Sequence, residues 1–326
     1  MRRLLAITVI PLMACLVIAG CGSSKPSASS SSSAAANNSN ANASVTVTGA
    51  FGAAPVVKIP KLDANNKLTV KTVIPGTGST VTKADAMAAN FVLYFWNGNS
   101  STLKASTFSQ NPTVIGGTML PGLETALIGQ KIGSRVLAVI PPAEGYGTAG
   151  NSQLGITGST TLVFVIDLIK SYADTASASG TQESNGGGSL PKISALPGSD
   201  PKVTIPSNNP PSALVTKTLI KGSGPKLVKG EYVIVQYTGY IWRTKNEFDS
   251  SWKAGTPYSF VLDSATQPLI TGWNLGLAGQ TVGSRVMLVI PPKDGYGAAG
   301  QSQAGITATD TLVFVIDVID AFKATP

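Results

Sequence analysis

The sequence predicts an α+β fold in two copies, each a twisted, largely antiparallel β-sheet wrapped on one short α-helix. Residues 129–169 and 279–319 align without gaps, with 28 of 41 positions identical. The 150-residue spacing is that of a whole domain and is far longer than a solenoid repeat. Each copy has Val/Ile/Tyr-rich runs bounded by Gly, Pro or Asp, which indicate strands. With one helical stretch per copy, these runs favour a helix laid on one face of a sheet.

The second copy has the clearer strand pattern. Strands are predicted at 214–220, 232–242, 258–262, 284–290 and 311–319, and a helix at 271–278. The matching helix of the first copy has Pro121 in its first turn and ends at Gly129, as is typical of helix ends. Upstream motifs repeat at an offset of 146, so the second copy has four extra residues between Trp242 and Leu269.

Composition excludes several kinds of chemistry. The chain has no histidine, which excludes Ser-His and Cys-His catalysis and histidine-containing zinc sites. Only 12% of its residues are charged, and the net charge is +8, or +6 without Arg2 and Arg3. The lysines are scattered and form no basic run. A nucleic-acid partner is therefore not expected, and no cofactor or metal is predicted.

The N-terminus has the plan of a secretory signal peptide. Arg2 and Arg3 precede an apolar stretch at 4–19, and Ile18-Ala19-Gly20-Cys21 follows. The last four residues resemble a bacterial lipobox, which implies a diacylglycerol on the Cys21 sulfur and a place in the cell envelope, outside the cytoplasm. The alternative is a transmembrane anchor, but the apolar run is short and Pro11 interrupts it.

These features divide the chain into five segments. Residues 1–20 are predicted as the signal peptide and 21–54 as a Ser/Ala/Asn-rich tether. The first domain is predicted at 55–172 and the second at 200–326. Residues 173–199, rich in Ser and Gly, are predicted as a flexible linker, with an ordered surface loop as the alternative.

Four motifs of the second copy point to one family. They are YTGYIW…FDSSW, PLITGW, IPPKDGYGAAG and TLVFVIDV. Together they closely resemble the FKBP-type peptidyl-prolyl cis-trans isomerases, and the match covers nearly all of each copy. The resemblance implies the α+β fold described above and isomerase activity at X–Pro bonds without a cofactor.

The resemblance also implies the residues of a pocket in the second copy. The implied catalytic residues are Tyr237, Phe248, Asp249, Ile270, Trp273, Tyr296 and Phe314. Tyr258, Phe260, Leu269 and Ile306 are the implied substrate-binding residues, with Tyr258 and Phe260 as alternatives for one aromatic position. In this scheme the Ile270 N–H binds a substrate carbonyl, Trp273 forms the floor, and the Tyr296 hydroxyl donates to the ligand.

The first copy departs from the family pattern. Phe91 stands in place of the YTG tyrosine, Leu123 in place of the floor tryptophan, and no aspartate occurs between Asp85 and Asp167. The counterparts that carry over are Phe91, Leu120, Leu123, Tyr146, Ile156 and Phe164. The hollow is expected to persist with fewer polar groups, and this copy is expected to be weakly active or inactive.

Several of these residues have simpler interpretations. Phe314, Phe164, Ile306 and Trp273 could be ordinary core residues, which is the usual place of aromatic and aliphatic side chains in strands and helices. Tyr296 between two glycines could be a turn residue, and Asp249 before Ser250 could be a turn or cap residue.

Three functions compete. The leading hypothesis is a membrane-tethered, extracytoplasmic prolyl isomerase that assists folding of secreted proteins, acts as a monomer on X-Pro-containing polypeptides, and binds the macrocyclic inhibitors of the family. The second is a non-catalytic peptide-binding or holdase module, above all in the first copy. The third, a solute-binding lipoprotein, is disfavoured because each copy is too small to form two lobes around a ligand.

Overall fold

A computed structural model describes residues 41–194, 198–265 and 269–323. Three predicted features lie outside these ranges, namely the signal peptide, the lipidation of Cys21 and the part of the tether up to residue 40. The chain separates into two compact units. The first unit consists of the described residues up to Lys83, Phe91–Ser106 and Thr118–Leu168. The second unit consists of Ala84–Asn90, Thr107–Gly117 and the described residues from Ile169 onward.

The elements of the two copies follow one order along the chain. The first copy contains β1 (Thr46–Thr48), β2 (Val56–Lys58), β3 (Thr69–Ile74), β4 (Asp85–Asn97), β5 (Ser100–Ser106), β6 (Thr113–Ile115), α1 (Pro121–Leu127), β7 (Arg135–Ile140) and β8 (Thr161–Ala173). The second contains β9 (Gly180–Gln182), β10 (Lys192–Ser194), β11 (Lys202–Thr204), β12 (Val215–Gly222), β13 (Glu231–Ile241), β14 (Glu247–Ser250), α2 (Ser251–Ala254), β15 (Tyr258–Val261), α3 (Thr271–Leu277), β16 (Arg285–Ile290) and β17 (Leu312–Lys323).

The two main sheets have the same topology. The strand order is β3-β7-β8-β4-β5 in the first copy, with β6 also on β4. In the second it is β14-β13-β17-β16-β12, with β15 also on β13, and β9 extends this sheet beyond β12. The strand pairings described are antiparallel. The predicted α+β class is confirmed, and so are the helices and the five strands predicted for the second copy, within a few residues at their ends.

The helix lies close to the sheet because two of its residues lack side chains. A Cβ on Gly272 would lie 2.5 Å from Ile290 Cγ2, and one on Gly276 would lie 2.4 Å from Leu288 Cδ2. The same helical face carries Trp273 and Leu277, both buried. These glycines therefore let α3 approach β16 and press Trp273 into the space between helix and sheet.

The sheet of the second copy is buried on both faces. Leu312, Phe314, Ile316 and Val318 of β17 pack in the core that contains Trp273 of α3. The alternate residues Val313 and Val315 pack on the opposite face, in a second core with Trp242, Met287, Ile193 and Ile205. Successive side chains of a strand point to opposite faces, so two buried faces account for the unbroken apolar run LVFVI.

The segment predicted as a flexible linker is ordered over its described residues. Residues 180–182 form β9, which pairs with β12, and residues 192–194 form β10, which pairs with β11. Ile193 is buried in the second core, and the Ala178 N–H donates to Asp317 Oδ2 at 3.0 Å. The prediction was wrong here because a strand held by backbone pairing and one buried Ile leaves little signal in a Ser/Gly-rich composition.

The end of the predicted tether is also structured. Residues 46–48 form β1, which pairs with β2, so the predicted boundary between 54 and 55 falls inside a hairpin. The Arg135 guanidinium donates to the carbonyls of Gly49 and Ala53, and Asp167 accepts from the Gly52 N–H. Arg135 and Asp167 are themselves a buried ion pair, and this pairing holds the segment on the first unit.

Candidate functional site

Trp273 is the centre of an aromatic cluster in the second copy. Its ring centroid lies 5.2 Å from Tyr237, 5.2 Å from Phe314 and 5.6 Å from Phe260, in edge-to-face arrangements. Trp273 and Phe314 are each 4% exposed. The Trp273 indole N–H is buried without an acceptor among the described residues. Edge-to-face packing of this kind fixes ring positions, and the cluster forms the floor of the predicted pocket.

The exposed residues lie at the other end of the cluster. Tyr258 is 40% exposed and Tyr296 is 37% exposed, while Asp249 is also exposed. Tyr258 lies 5.7 Å from Tyr237, and Phe260 stacks behind it at 5.9 Å. The two residues given as alternatives therefore both belong to the cluster, with Tyr258 toward solvent and Phe260 in the core.

A hydrogen bond joins two of the predicted catalytic residues. The Tyr237 hydroxyl donates to Asp249 Oδ2 at 2.5 Å. Burial raises the pKa of Tyr237 far above its ordinary value, and the nearby Asp249 carboxylate raises it further. The pKa values of Tyr258 and Tyr296 are also raised, first by burial. All three phenols therefore stay protonated at neutral pH and remain hydrogen-bond donors.

Gly239 makes room for the wall formed by Phe248. A Cβ at this position would lie 2.8 Å from Phe314 Cε1 and 2.9 Å from Phe248 Cζ. The two rings pack edge to face at 5.6 Å between centroids. The glycine of the YTG motif is therefore required for the close packing of these two rings.

The start of α2 holds the adjacent strand in place. The Ser250 hydroxyl accepts from the Lys253 N–H as the helix N-cap. The Ser251 hydroxyl accepts from the Tyr237 N–H at 2.8 Å and donates to Gln236 Oε1. Phe248 and Asp249 are thus fixed against β13 by the two serines of FDSS.

The wall that contains Ile306 is tied to the sheet by an ion pair. Ile306 and Gln301 exchange two backbone hydrogen bonds, and the Asp310 carboxylate accepts from the Thr307 N–H. Arg243 donates two hydrogen bonds to Asp310, at 2.8 and 2.9 Å. The Arg243 guanidinium lowers the pKa of Asp310 to about 2, so the pair is charged at neutral pH. No motif in the sequence marks this pair. In the first copy Asn97 and Thr160 stand at the same two positions and form the equivalent contact.

The remaining predicted residues lie at the start of α3. Ile270 is the residue before its first turn, and the Trp273 N–H donates to its carbonyl at 3.0 Å. Leu269 and Ile270 are half-buried and pack against the core that contains Phe314. Ten of the eleven predicted residues of the second copy therefore belong to one connected cluster beside α3. The eleventh, Tyr296, lies near enough to raise the pKa of Tyr237.

Strand register identifies the counterparts in the first copy. Asp249 faces Gly239 across β13 and β14, and Ala105 faces Leu93 at the corresponding place in β4 and β5. The bulged residue that precedes it is Phe248 in the second copy and Lys104 in the first. Leu93 takes the position of Gly239. This side of the first copy therefore has Leu93, Lys104 and Ala105 where the second copy has Gly239, Phe248 and Asp249.

The other predicted residues of the first copy keep an apolar lining. The Phe91 and Phe164 rings lie 5.9 Å apart, and Leu120, Leu123 and Ile156 are buried. Tyr146 is half-buried. Phe91 has no hydroxyl that could bind a carboxylate, and Ala105 has no carboxylate to receive it.

The strand register also shows where along the chain the two copies differ in length. Between Leu93 and Ala105 the first copy is two residues longer than the second is between Gly239 and Asp249. After this hairpin the second copy gains six residues, mainly in the loop between β15 and α3, which leaves its net excess at four. This shift explains why alignment alone cannot find the counterpart of Asp249.

Two further observations bear on other kinds of site. Within the described ranges no cluster of three or more His, Cys, Asp or Glu side chains could hold a metal ion. None of the helices there has the length and apolar character that a membrane-crossing helix needs.

Comparison with known proteins identifies the family. The family model described as FKBP-type peptidyl-prolyl cis-trans isomerase matches residues 78–169 and 224–319, which together exceed half of the chain. An FK506-binding protein of Streptomyces anulatus is 39% identical over 119 residues, covering 36% of this chain and 94% of that protein. A probable FK506-binding protein of Corynebacterium glutamicum is 39% identical over 121 residues, covering 37% and 98%.

Among solved structures, the crystal structure of FkpA from Escherichia coli has 37% sequence identity with this chain and a TM-score of 0.31. The match covers 35% of this chain and 49% of that one. With two matched regions and relatives aligned over nearly their whole length, the chain belongs to the FKBP-type peptidyl-prolyl cis-trans isomerases.

Proposed function

We propose that isomerisation of X–Pro bonds is catalysed mainly in the hollow of the second copy. The observation that supports this assignment is the Trp273-centred cluster with the Tyr237–Asp249 hydrogen bond at its rim. The first copy has Phe91, Ala105 and Leu123 at the corresponding positions. The same fold therefore offers one hollow with a tyrosine–aspartate pair and one without that pair.

The reaction needs neither a nucleophile nor a proton shuttle. Rotation about an X–Pro bond breaks amide resonance, with a barrier of about 20 kcal/mol. A twisted amide has less charge on its oxygen than a planar one and so loses less on leaving water. A hollow lined by Trp273, Phe314 and Phe260 thus favours the twisted state over the planar one.

Polar groups at the rim orient the substrate. In the proposed complex the Ile270 N–H binds a substrate carbonyl, and the Tyr296 hydroxyl donates to the substrate backbone. Asp249, fixed by Tyr237, presents a dipole near the carbonyl that twists. An acceleration of about 10⁴-fold requires only about 5.5 kcal/mol of differential binding. Desolvation and a few oriented groups are sufficient for an effect of this size.

The role of the rim is tested by Asp249→Ala in the full-length protein. We expect kcat/KM in a protease-coupled proline-peptide assay to fall about tenfold, because Tyr237 loses its partner and the twisting carbonyl loses a fixed dipole. Glu183→Ala is the matched control, since it removes an exposed carboxylate of the same unit away from the hollow. Equal rates for Asp249→Ala and wild type would remove Asp249 from the site.

The location of the protein is a second part of the proposal. The lipobox-like residues 18–21 support lipidation of Cys21 and attachment to the outer face of a membrane, where the substrates are secreted polypeptides. Cys21→Ser is expected to move the protein from the membrane fraction to the soluble one, since a thioether-linked lipid cannot form. Fractionation followed by immunoblotting measures this change. Cys15→Ser is the control, and persistence of Cys21→Ser in the membrane fraction would contradict lipid anchoring.

The hollow of the first copy supports a second candidate function. It keeps the Phe91 and Phe164 rings without the tyrosine–aspartate pair. We propose that it binds apolar side chains of a polypeptide without catalysing isomerisation. This division of labour would give the chain a holding copy and a catalytic copy.

A further inference from the structure

We propose that the outer edge of β5 in the first copy binds an extended segment of a client polypeptide by β-strand addition. This proposal goes beyond the isomerase activity and does not depend on the hollow of either copy. It depends on three features of the first unit, namely a free sheet edge, its low charge, and a depression beside its first residues.

The free edge is long and regular. β5 is the last strand of its sheet, and in the part of the chain that the structure describes no strand pairs with its outer side. It pairs with β4 at six positions, and Ser100 to Lys104 are exposed, including Leu103 at 50%. Such an edge is a template on which another backbone can pair.

The hairpin geometry shows which backbone groups are available. Asn97 and Ser100 flank a two-residue turn, so they form the first hydrogen-bonded pair of the hairpin. Hydrogen-bonded and non-bonded pairs alternate along antiparallel strands, which directs the N–H and C=O groups of Ser101 and Leu103 outward. An added strand would pair with these groups.

The corresponding edge of the second copy is protected. β14 has four residues, pairs with β13 at three positions and runs directly into α2. It carries the charged Glu247 and Asp249, and Glu247 forms an ion pair with Lys253 at 2.6 Å. β5 has one charged residue, Lys104, in seven. Short length and charge are the common means by which proteins block strand addition, and only the second copy uses both.

A depression lies next to the start of β5. It has a volume of about 430 Å³ and is lined by Ile59, Lys61, Asn99, Ser100 and Ser101. Strand addition commonly combines backbone pairing with pockets that take alternate side chains, and this depression is placed to receive one.

The size of the edge favours a client segment over a second copy of this chain. A stable dimer needs about 800 Å² of buried surface on each partner, and a pair of strands with five exposed residues each falls well below that area. Weak, reversible capture of an extended chain needs much less. Isomerases of this family act on flexible, proline-containing polypeptides, so extended segments are present wherever the protein works.

The test uses a probe without proline, which separates this proposal from the isomerase function. The probe is a fluorescein-labelled nine-residue peptide of alternating Val and Ser with a Lys at each end, titrated with the full-length protein by fluorescence anisotropy. Leu103→Pro removes an outward N–H at an edge position where proline is tolerated. We expect it to weaken binding by about tenfold or more, whereas Leu103→Thr, which keeps the N–H, changes binding by less than about twofold.

Two controls keep the test decisive. The same peptide N-methylated at alternate residues cannot pair along one edge, so its binding to wild-type protein should be lost. A circular dichroism spectrum and a thermal unfolding curve of Leu103→Pro that match those of the wild type verify that the first unit is folded. No binding by wild type, equal binding by Leu103→Pro, or equal binding of the methylated peptide overturns the proposal. A concentration-dependent dimer in sedimentation that Leu103→Pro abolishes overturns it as well, in favour of self-pairing.

Discussion

Isomerase activity is expected to fall by about two to three orders of magnitude when the second hollow receives the residues of the first at three positions. The changes are Tyr237→Phe, Asp249→Ala and Trp273→Leu, which correspond to Phe91, Ala105 and Leu123. The expected loss is about 3–4 kcal/mol of transition-state stabilisation. The measurement is kcat/KM of the full-length protein with a proline peptide at low temperature.

The size of the effect follows from what the three residues do together. Tyr237 and Asp249 form the polar group at the rim, while Trp273 contacts Tyr237, Tyr258, Phe260 and Phe314. Loss of the indole removes the common partner of these rings and admits water to the floor. A wet hollow then discriminates little between the planar and twisted amides, because solvent restores the hydration on which the difference depends.

The reverse exchange in the first copy is the matched control. Phe91→Tyr with Ala105→Asp restores a tyrosine opposite an aspartate, but Leu93 and Lys104 still stand at the positions of Gly239 and Phe248. Little gain in activity is therefore expected. If the triple variant of the second copy retained half of the wild-type activity while folded by circular dichroism, catalysis would lie outside the second hollow.

The parts of the site that could be predicted from the sequence are those carried by contiguous motifs. Trp273 in PLITGW, Tyr296 in DGYG and Phe314 in TLVFVID each lie within a short stretch whose spacing defines their positions. The strand and helix patterns around them are strongly periodic or bounded by Gly and Pro, and these elements were found within a few residues of their observed ends.

The parts that could not be predicted depend on register or on backbone contacts. Ala105 is the counterpart of Asp249 only because the first hairpin is two residues longer, and no residue marks that shift. β9 has the sequence Gly-Thr-Gln and is held by pairing with β12, so its side chains carry no strand signal. The second apolar face of the sheet could not be predicted, because an unbroken apolar run such as LVFVI indicates a buried strand but not two separate cores.

Arg285→Ala is expected to destabilise the second unit by about 3–5 kcal/mol. Arg285 donates to Asp317 Oδ1 at 2.6 Å and to Oδ2 at 2.8 Å, and both residues are buried between β16 and β17. Removing the guanidinium leaves a buried carboxylate whose remaining donor, among the residues that the structure describes, is the Ala178 N–H. The unpaired charge, rather than the lost attraction, accounts for most of the cost.

Thermal inactivation of the isomerase measures this loss with the second unit as its reporter. A change of this size is expected to lower the midpoint of inactivation by about 10 °C in this unit, which has roughly 180 residues. Lys229→Ala is the control, because Lys229 and Asp263 form an exposed ion pair whose loss should cost less than about 1 kcal/mol.

A double variant separates the two contributions to this cost. Arg285→Leu with Asp317→Leu removes both charges and fills the space with apolar groups, so it should recover most of the stability lost in Arg285→Ala. It also removes the acceptor of the Ala178 N–H, so recovery should remain incomplete by about 1 kcal/mol, the scale of one lost hydrogen bond. Full recovery would mean that the segment before β9 contributes nothing to the stability of the unit. No recovery would mean that the ion pair is needed for its geometry, since two leucines then cannot replace the bidentate contact between β16 and β17.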